Sequence, residues 1–478
     1  MTNLQNTRTQ HTMAKAIRPA SEYVFTIPDD ARRGLARGWL WLGLTALLGS
    51  GIFSVLLVLS RTPYLQNLFP VADFFRVALV VHVDLSVLVW FIALAGILWS
   101  LNCPTRGMVW GKLAVWLCAA GAALMTLAPF FAHGEAIMSN YIPVLNDPLF
   151  LAGLLLIAIG FGILVSRSLL LAPRLGPDFD GGGVLHFGLN AAAISAAMAL
   201  LAFAWSFGVT PDSLSGKPYF EILFWGGGHA LQFTWTLMML VAWLWLTSAI
   251  GGRIPFSPRV ALLLFVLALL CVFITPYAYL AYHVASVEHR SLLTWAMRIG
   301  GGVSILPMSL AVLIALRSIS GPELSEQSRP LRAALVSSVL LFAIGGLIGM
   351  FISGNNVKIP AHYHGSIVGV TLAMMGLVYH LLPQLGYGTP GGRLATLQPY
   401  VYGSGQLMHI IGLVWSGGYG VQRKVAGAEQ VLRSTGEIAG MGLMGLGGLI
   451  AIVGGFLFVV VVIRALHDKN KSINKDTK

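Results

Sequence analysis

The 478-residue chain contains twelve histidines, and five of them carry its first chemical signal. His362 and His364 stand two apart in Lys358-Ile-Pro-Ala-His-Tyr-His-Gly365, His82 follows Val81, His229 closes Phe224-Trp-Gly-Gly-Gly-His229, and His283 follows Tyr282. Neutral imidazole is the commonest protein ligand for metals. Two positions along an α-helix correspond to roughly 200° of rotation, so His362 and His364 leave opposite sides of one helix. They cannot chelate one ion from there, but they can serve two cofactors flanking the helix, for example two hemes. An iron held by two histidines is coordinatively filled, whereas one held by a single histidine keeps a site open for a gas. His186, His380 and His409 read instead as isolated side chains hydrogen-bonded to a neighbouring helix. The methionines and tryptophans read as packing and interfacial anchors.

The elements that must position these residues are membrane helices. Charged residues are 10% of the chain and hydrophobic ones 56%, against roughly 25% charged in soluble globular proteins. Mean hydropathy is +0.78. Disorder, a secreted disulfide scaffold and nucleic-acid binding are excluded as readings; the net charge of +12 lies mostly at the two ends and in short loops. Cys103, Cys118 and Cys271 form no CxxC or CxxCH, which argues against a zinc site and a covalently attached heme. A spanning helix needs about 20 apolar residues. Twelve stretches qualify: 36–60, 77–102, 110–132, 147–172, 186–208, 220–249, 258–283, 293–317, 331–353, 359–387, 397–416 and 437–466. The expected fold is an all-α bundle of twelve transmembrane helices with both termini cytoplasmic. A polar tail, 1–35, precedes a single domain, 36–466, and a basic tail, 467–478, follows it.

Orientation follows the positive-inside rule. Arg106, Lys112, Arg167, Arg174, Arg253, Arg259, Arg329, Arg332 and Arg393 fall in the inner loops, while the outer loop 133–146 carries no Lys or Arg. With that direction set, His82, His229, His283, His362 and His364 come from four spans yet share the outer half of the membrane. Ionisable groups inside a bilayer are costly, and their gathering in one layer points to a metal or heme layer. Arg423, Lys424 and Arg433 lie in an outer loop against the rule.

On these residues the chain resembles subunit I of the heme-copper oxidase superfamily, which includes the bacterial nitric oxide reductases. The resemblance covers essentially all twelve spans. Its most specific stretch is the His362-Tyr-His364 segment followed by Leu377-Val-Tyr-His-Leu-Leu-Pro383. It implies that His82 and His364 are the axial ligands of a low-spin heme, expected to be heme b. It further implies that His362 holds a high-spin, b-type heme and that His229 is a ligand of the facing non-heme metal, copper or iron. Arg423 and Lys424 would hold heme propionates. Where the family places two adjacent histidines after span 7, this chain has Tyr282-His283. His283 therefore falls on the second histidine and Tyr282 replaces the first. A phenolate from Tyr282, or Glu288 or His289 folding back, would complete the metal site, and loss of the metal is a further alternative.

One helical turn after His229, where many oxidases carry a redox tyrosine, this chain has Phe233. Four-electron reduction of dioxygen commonly draws on that tyrosine, whereas reduction of two nitric oxide molecules needs only two electrons. The resemblance thus implies the catalytic heme subunit of a respiratory complex in the bacterial inner membrane, embedded in lipid and reducing nitric oxide to nitrous oxide. A periplasmic donor would supply electrons through a second, electron-accepting subunit that is cupredoxin-like or a c-type cytochrome. A terminal oxidase with Tyr282 as its tyrosine is the alternative on the same fold, and a twelve-span secondary transporter is the alternative of another class. Lys358, Glu221, Glu135 and Asp84 are polar groups near the outer face from which protons could be drawn.

Overall fold

The computed structural model describes residues 22–59, 74–131, 134–173, 180–319, 324–352, 356–421 and 434–468. It contains twelve long helical segments. The first six are α1 (Ala31–Leu59), α2 (Phe74–Asn102), α3 (Met108–Phe131), α4 (Pro148–Leu170), α5 (Gly181–Val209) and α6 (Gly216–Ala249). The second six are α7 (Pro258–Ala281), α8 (Val287–Arg317), α9 (Ser328–Met350), α10 (Lys358–Gln384), α11 (Gly392–Gly418) and α12 (Thr435–His467). Each corresponds to one stretch expected from the sequence. Eleven are long and apolar enough to cross a membrane. The other, α11, carries Arg393, Gln398, Gln406 and His409, and these polar residues lower its hydropathy. A two-stranded antiparallel hairpin, β1 (Glu135–Ile137) and β2 (Val144–Asn146), lies between α3 and α4 with Glu135 opposite Asn146.

Local chemistry sets the helix ends. Asp147 accepts a hydrogen bond from the Leu149 amide, with Pro148 at the first helical position of α4. Asp180 does the same for Gly183 in α5, and Ser286 for His289 in α8. Ser434 caps α12 through the Glu437 amide in a Ser-x-x-Glu sequence. Each such cap satisfies an amide that the helix itself leaves without an acceptor. Within α7 the α-helix breaks at Phe273. Pro276, four residues beyond Val272, has no amide hydrogen to offer the Val272 carbonyl. Within α2, residues Asp84–Val89 form a π-helical turn, a local widening that concentrates at functional sites.

Helix ends meet in two layers. At one, the Arg37 guanidinium (α1) donates to the Leu385 carbonyl beyond α10 at 2.7 Å, and Arg32 donates to the Cys103 carbonyl after α2 at 3.1 Å. Arg167, at the end of α4, donates to the Pro104 carbonyl at 2.9 Å. The Tyr23 amide donates to Ser248 of α6, and the Gly388 amide to the Ala465 carbonyl of α12. Both ends of the described chain thus lie in this Arg-rich layer, which the positive-inside rule assigns to the cytoplasm. The β-hairpin and the starts of α2, α6, α8 and α10 form the opposite layer.

The helices α6 and α10 are buried nearly all round, as is the Trp90–Asn102 half of α2, whereas the others bury one face. They are the central elements, and they carry His229, His362 and His364. Close backbone approach surrounds them. On α11, Gly405 and Gly412 stand seven apart, as do Gly440, Gly447 and Gly454 on α12. A Cβ added at Gly405 would lie 2.5 Å from the Ala451 nitrogen, and one at Gly447 would meet the His409 amide. Without a hydrophobic drive between helices in lipid, such small-residue contacts supply the packing. Replacing Gly447 by Val is expected to lower stability by about 1–3 kcal/mol through overpacking, read as earlier thermal unfolding in detergent. Gly442→Ala, at a position where an added Cβ meets nothing, should leave the transition within about 0.5 kcal/mol of the parent.

Candidate heme and metal centre

The π-turn of α2 follows immediately after His82. The His82 ring lies against α1, with Nδ1 2.9 Å from Ser50 Oγ, 2.9 Å from Ser54 Oγ and 3.0 Å from the Ser50 carbonyl. Both serine hydroxyls also have carbonyl acceptors within reach, Ser50 on His82 O and Ser54 on Ser50 O. The Ser50 carbonyl can only accept, so Nδ1 is the protonated nitrogen and Nε2 carries the free lone pair. Asp84, two residues on, is buried with Oδ2 lacking a partner.

On α10, His362 and His364 face different helices, as their two-residue spacing requires. His362 Nδ1 donates to the Gly345 carbonyl of α9 at 2.7 Å, which again leaves the Nε2 lone pair open. The contact depends on two glycines. A Cβ at Gly345 would come within 2.5 Å of the Ser366 nitrogen, and one at Gly349 within 2.6 Å of His362 Nδ1. Arg298 of α8 lies within electrostatic reach of His362. It also helps line a cavity of about 310 Å³ with Trp225, Arg290, Ser291, Thr294 and Trp295. His364 turns the other way, towards α2 and α11. It is within electrostatic reach of His82, and its ring centroid is 4.6 Å from that of His409.

On α6, three glycines precede His229, and each meets an aromatic ring: Gly226 faces Tyr279, Gly227 faces Phe203 and Gly228 faces Tyr141. His229 is buried. Its Nδ1 donates to the Trp225 carbonyl at 2.8 Å, and its Nε2 accepts from the Tyr141 hydroxyl at 3.0 Å. Tyr141 comes from the loop of the β-hairpin, and nothing in the spacing of the sequence linked it to His229. Phe233, one turn further on, is buried.

The residues after α7 do not join His229. Tyr282 is 40% exposed, and His283 is also exposed, its Nδ1 accepting from the Ala285 amide at 3.3 Å. Two other residues turn inward here. His289, in the first turn of α8, is fully buried with no partner on either ring nitrogen, a condition costing about 1–3 kcal/mol per unsatisfied group. Its ring is perpendicular to that of Tyr279 at 4.6 Å, and the Tyr279 hydroxyl pairs with Ser206 Oγ at 2.7 Å. His229 and His289 sense one another electrostatically.

The remaining groups fall as follows. His186 Nδ1 pairs with Asn102 Oδ1 at 2.6 Å, and His380 Nε2 accepts from Gln384 at 3.0 Å, so both have the partners expected of structural histidines. His409 has one as well, the Met444 carbonyl at 2.9 Å, but it also abuts His364, a contact that only the packing of α11 on α10 creates. Glu221 accepts from Asn140 at 2.7 Å. Arg423 and Lys424 lie outside the described residues.

A metal-binding histidine usually donates its second ring N–H to an acceptor that fixes its orientation. His82 and His362 both do so, each leaving Nε2 open, and the two rings are only partly covered. They fit axial heme ligands, and His364 faces His82 from the opposite helix. A three-imidazole metal does not fit: among the described residues no three His, Cys, Asp or Glu side chains cluster closely enough to hold an ion.

The family of the Cytochrome C and Quinol oxidase polypeptide I matches residues 34–462. An uncharacterized protein of Rickettsia prowazekii (strain Madrid E), RP382, is 29% identical over 89% of this chain and 95% of its own length. An uncharacterized protein of Aquifex aeolicus (strain VF5) is also 29% identical, over 76% of this chain and 88% of its own length. Among solved structures, a heme-copper terminal oxidase dimer determined by cryo-electron microscopy superposes with a TM-score of 0.69 at 16% identity, covering 92% of this chain and 85% of that one. That likeness is one of fold. The family implies hemes, a non-heme metal and oxidoreductase chemistry in a multi-pass membrane protein, which displaces the transporter reading. With its profile spanning the bundle from α1 to α12, the chain belongs to the cytochrome c and quinol oxidase polypeptide I family, the subunit I of the heme-copper oxidases.

Proposed function

We propose that this protein is the catalytic subunit of a respiratory complex of the bacterial cytoplasmic membrane that reduces nitric oxide to nitrous oxide. Two nitric oxide molecules, two electrons and two protons give one nitrous oxide and one water. His82 and His364 would together hold a low-spin heme, filling its binding sites. A site so filled passes electrons and binds no gas. His362 would hold a second, high-spin heme. Its Nδ1–H is committed to the Gly345 carbonyl, which orients the ring and leaves Nε2 free to hold that heme. When bound, this second heme supplies an open iron site and electrons to the gas. The electrons come from a periplasmic donor through a partner subunit, cupredoxin-like or a c-type cytochrome.

The observation that carries the substrate choice is Phe233. It is buried one turn beyond His229, and it offers neither a phenol to complete four-electron dioxygen reduction nor a carboxyl. A second reading, reduction of dioxygen to water, draws on a different contact: the Tyr141 hydroxyl bonded to His229 Nε2. In that reading Tyr141 takes the role that the sequence suggested for Tyr282.

Nitric oxide and dioxygen electrodes applied side by side to the purified, reduced complex separate the two. Rapid nitric oxide loss with nitrous oxide formed and little oxygen uptake is expected. Rapid oxygen uptake, abolished in Tyr141→Phe, would establish the second reading instead.

The ligand assignment has its own check. His362→Ala should remove the high-spin heme signal and leave the low-spin spectrum, and an intact high-spin signal would refute it. The exposure of Tyr282 and His283 sets a further expectation. Tyr282→Phe and His283→Ala should leave turnover within about twofold of the parent, as for most surface substitutions. His229→Ala should reduce turnover at least about tenfold.

A further inference from the structure

The hydrogen bonds of four outer-half histidines follow one rule, from which His364 departs. His82, His229, His362 and His409 each place Nδ1 against a backbone carbonyl: Ser50 at 3.0 Å, Trp225 at 2.8 Å, Gly345 at 2.7 Å and Met444 at 2.9 Å. A carbonyl only accepts, so all four rings are protonated at Nδ1 and bear their lone pair at Nε2. His364 makes no such bond to the backbone. The side chain within its reach is Gln406 of α11, whose Oε1 is a buried acceptor with no partner of regular geometry. Gln406 lies one turn before His409, and the His409 ring packs on His364 at 4.6 Å between centroids.

The surroundings hold α11 in place. The His409 Nδ1–H is anchored to Met444 of α12. Gly447 lets the two backbones touch at His409 itself, where a Cβ would collide with the amide. The face bearing Gln406 and His409 therefore has little freedom to retreat from α10. The Gln406 oxygen and the His364 imidazole are thus held side by side.

We propose that Gln406 is the positioning residue of His364: its carboxamide oxygen accepts the Nδ1–H of His364, fixing the tautomer that presents Nε2 to the low-spin iron, while the His409 ring walls the imidazole in. This rests on the reading of His364 as an axial ligand. The acceptor increases the donor strength of the imidazole and so favours the oxidised iron. Gln406 thereby sets the potential at which electrons leave the low-spin heme.

The test is a redox titration of the purified complex, following the low-spin heme by its optical spectrum and by electron paramagnetic resonance. Gln406→Leu is expected to raise the midpoint potential by at least about 59 mV, a tenfold shift in a one-electron equilibrium, and to move the low-spin resonance. Gln406→Glu keeps the volume and strengthens the acceptor, so its potential should equal or fall below that of the parent. A Gln406→Leu protein with both hemes, the parent potential and the parent resonance would overturn the proposal. So would a Gln406→Glu protein whose potential rises as in a simple loss of packing, and this variant decides the matter if the leucine protein does not fold. A parent protein without a bis-histidine low-spin signal would instead refute the assignment of His364, a result visible before any variant is made.

Discussion

The architecture depends on the crossing of α9 and α10, where two backbones touch at Gly345 and Gly365. A Cβ on either residue would come within 2.5 Å of the opposite backbone. At that separation the Gly345 carbonyl reaches His362 Nδ1 at 2.7 Å. The contact serves two purposes. It gives the half-buried imidazole the acceptor that lipid and apolar packing cannot provide, and it fixes the rotation of α10 about its own axis. Because His364 stands roughly 200° from His362, locking the first ring against α9 turns the second towards α2 and α11. Any larger residue at Gly345 would move both rings at once.

The second constraint is the cost of polar groups in a medium without water. Most such groups here are paired with backbone: the two serines of α1 with His82 and with carbonyls, His229 with Trp225, His409 with Met444. A few buried atoms remain unpaired, among them Asp84 Oδ2, Gln406 Oε1 and both ring nitrogens of His289. Others, such as Tyr23 Oη, Ser100 Oγ and Arg167 Nη1, lie elsewhere in the bundle, but these four adjoin the outer-half histidines. Asp84 follows His82 in the π-turn, Gln406 adjoins His364, and His289 senses His229 electrostatically.

The two sides of α10 divide the labour. The side facing α1, α2 and α11 is built around His82 and His364 with fixed polar neighbours, an environment suited to electron transfer with little rearrangement. The side facing α8 and α9 is more open: Arg298 stands near His362 and helps line the cavity that reaches Trp225 beside His229. After α7 this chain turns Tyr282 and His283 to the surface, and it brings Tyr141 to His229 from the β-hairpin loop. The side with His362 and His229 thus differs from the expected pattern, whereas His82 and His364 stand on facing helices as expected.

The sequence by itself determined the number of spans, their direction and the layer in which the histidines lie. These follow from transfer between water and lipid and from charge at the loops, properties that each segment carries locally. It determined that His362 and His364 serve different neighbours, because helix periodicity alone separates them. Only α11 was weakly legible by hydropathy, since Gln398, Gln406 and His409 make it polar for reasons that lie on other helices. The tertiary structure decided which helices those rings meet. It placed Ser50 and Ser54 under His82, His409 and Gln406 against His364, and Tyr141 on His229, contacts that join residues up to 88 positions apart. It also decided that Tyr282 and His283 face outward, because the orientation of a residue just past a helix end depends on the break at Phe273 and on how α7 and α8 pack, neither of which is encoded in the local spacing of Tyr282 and His283.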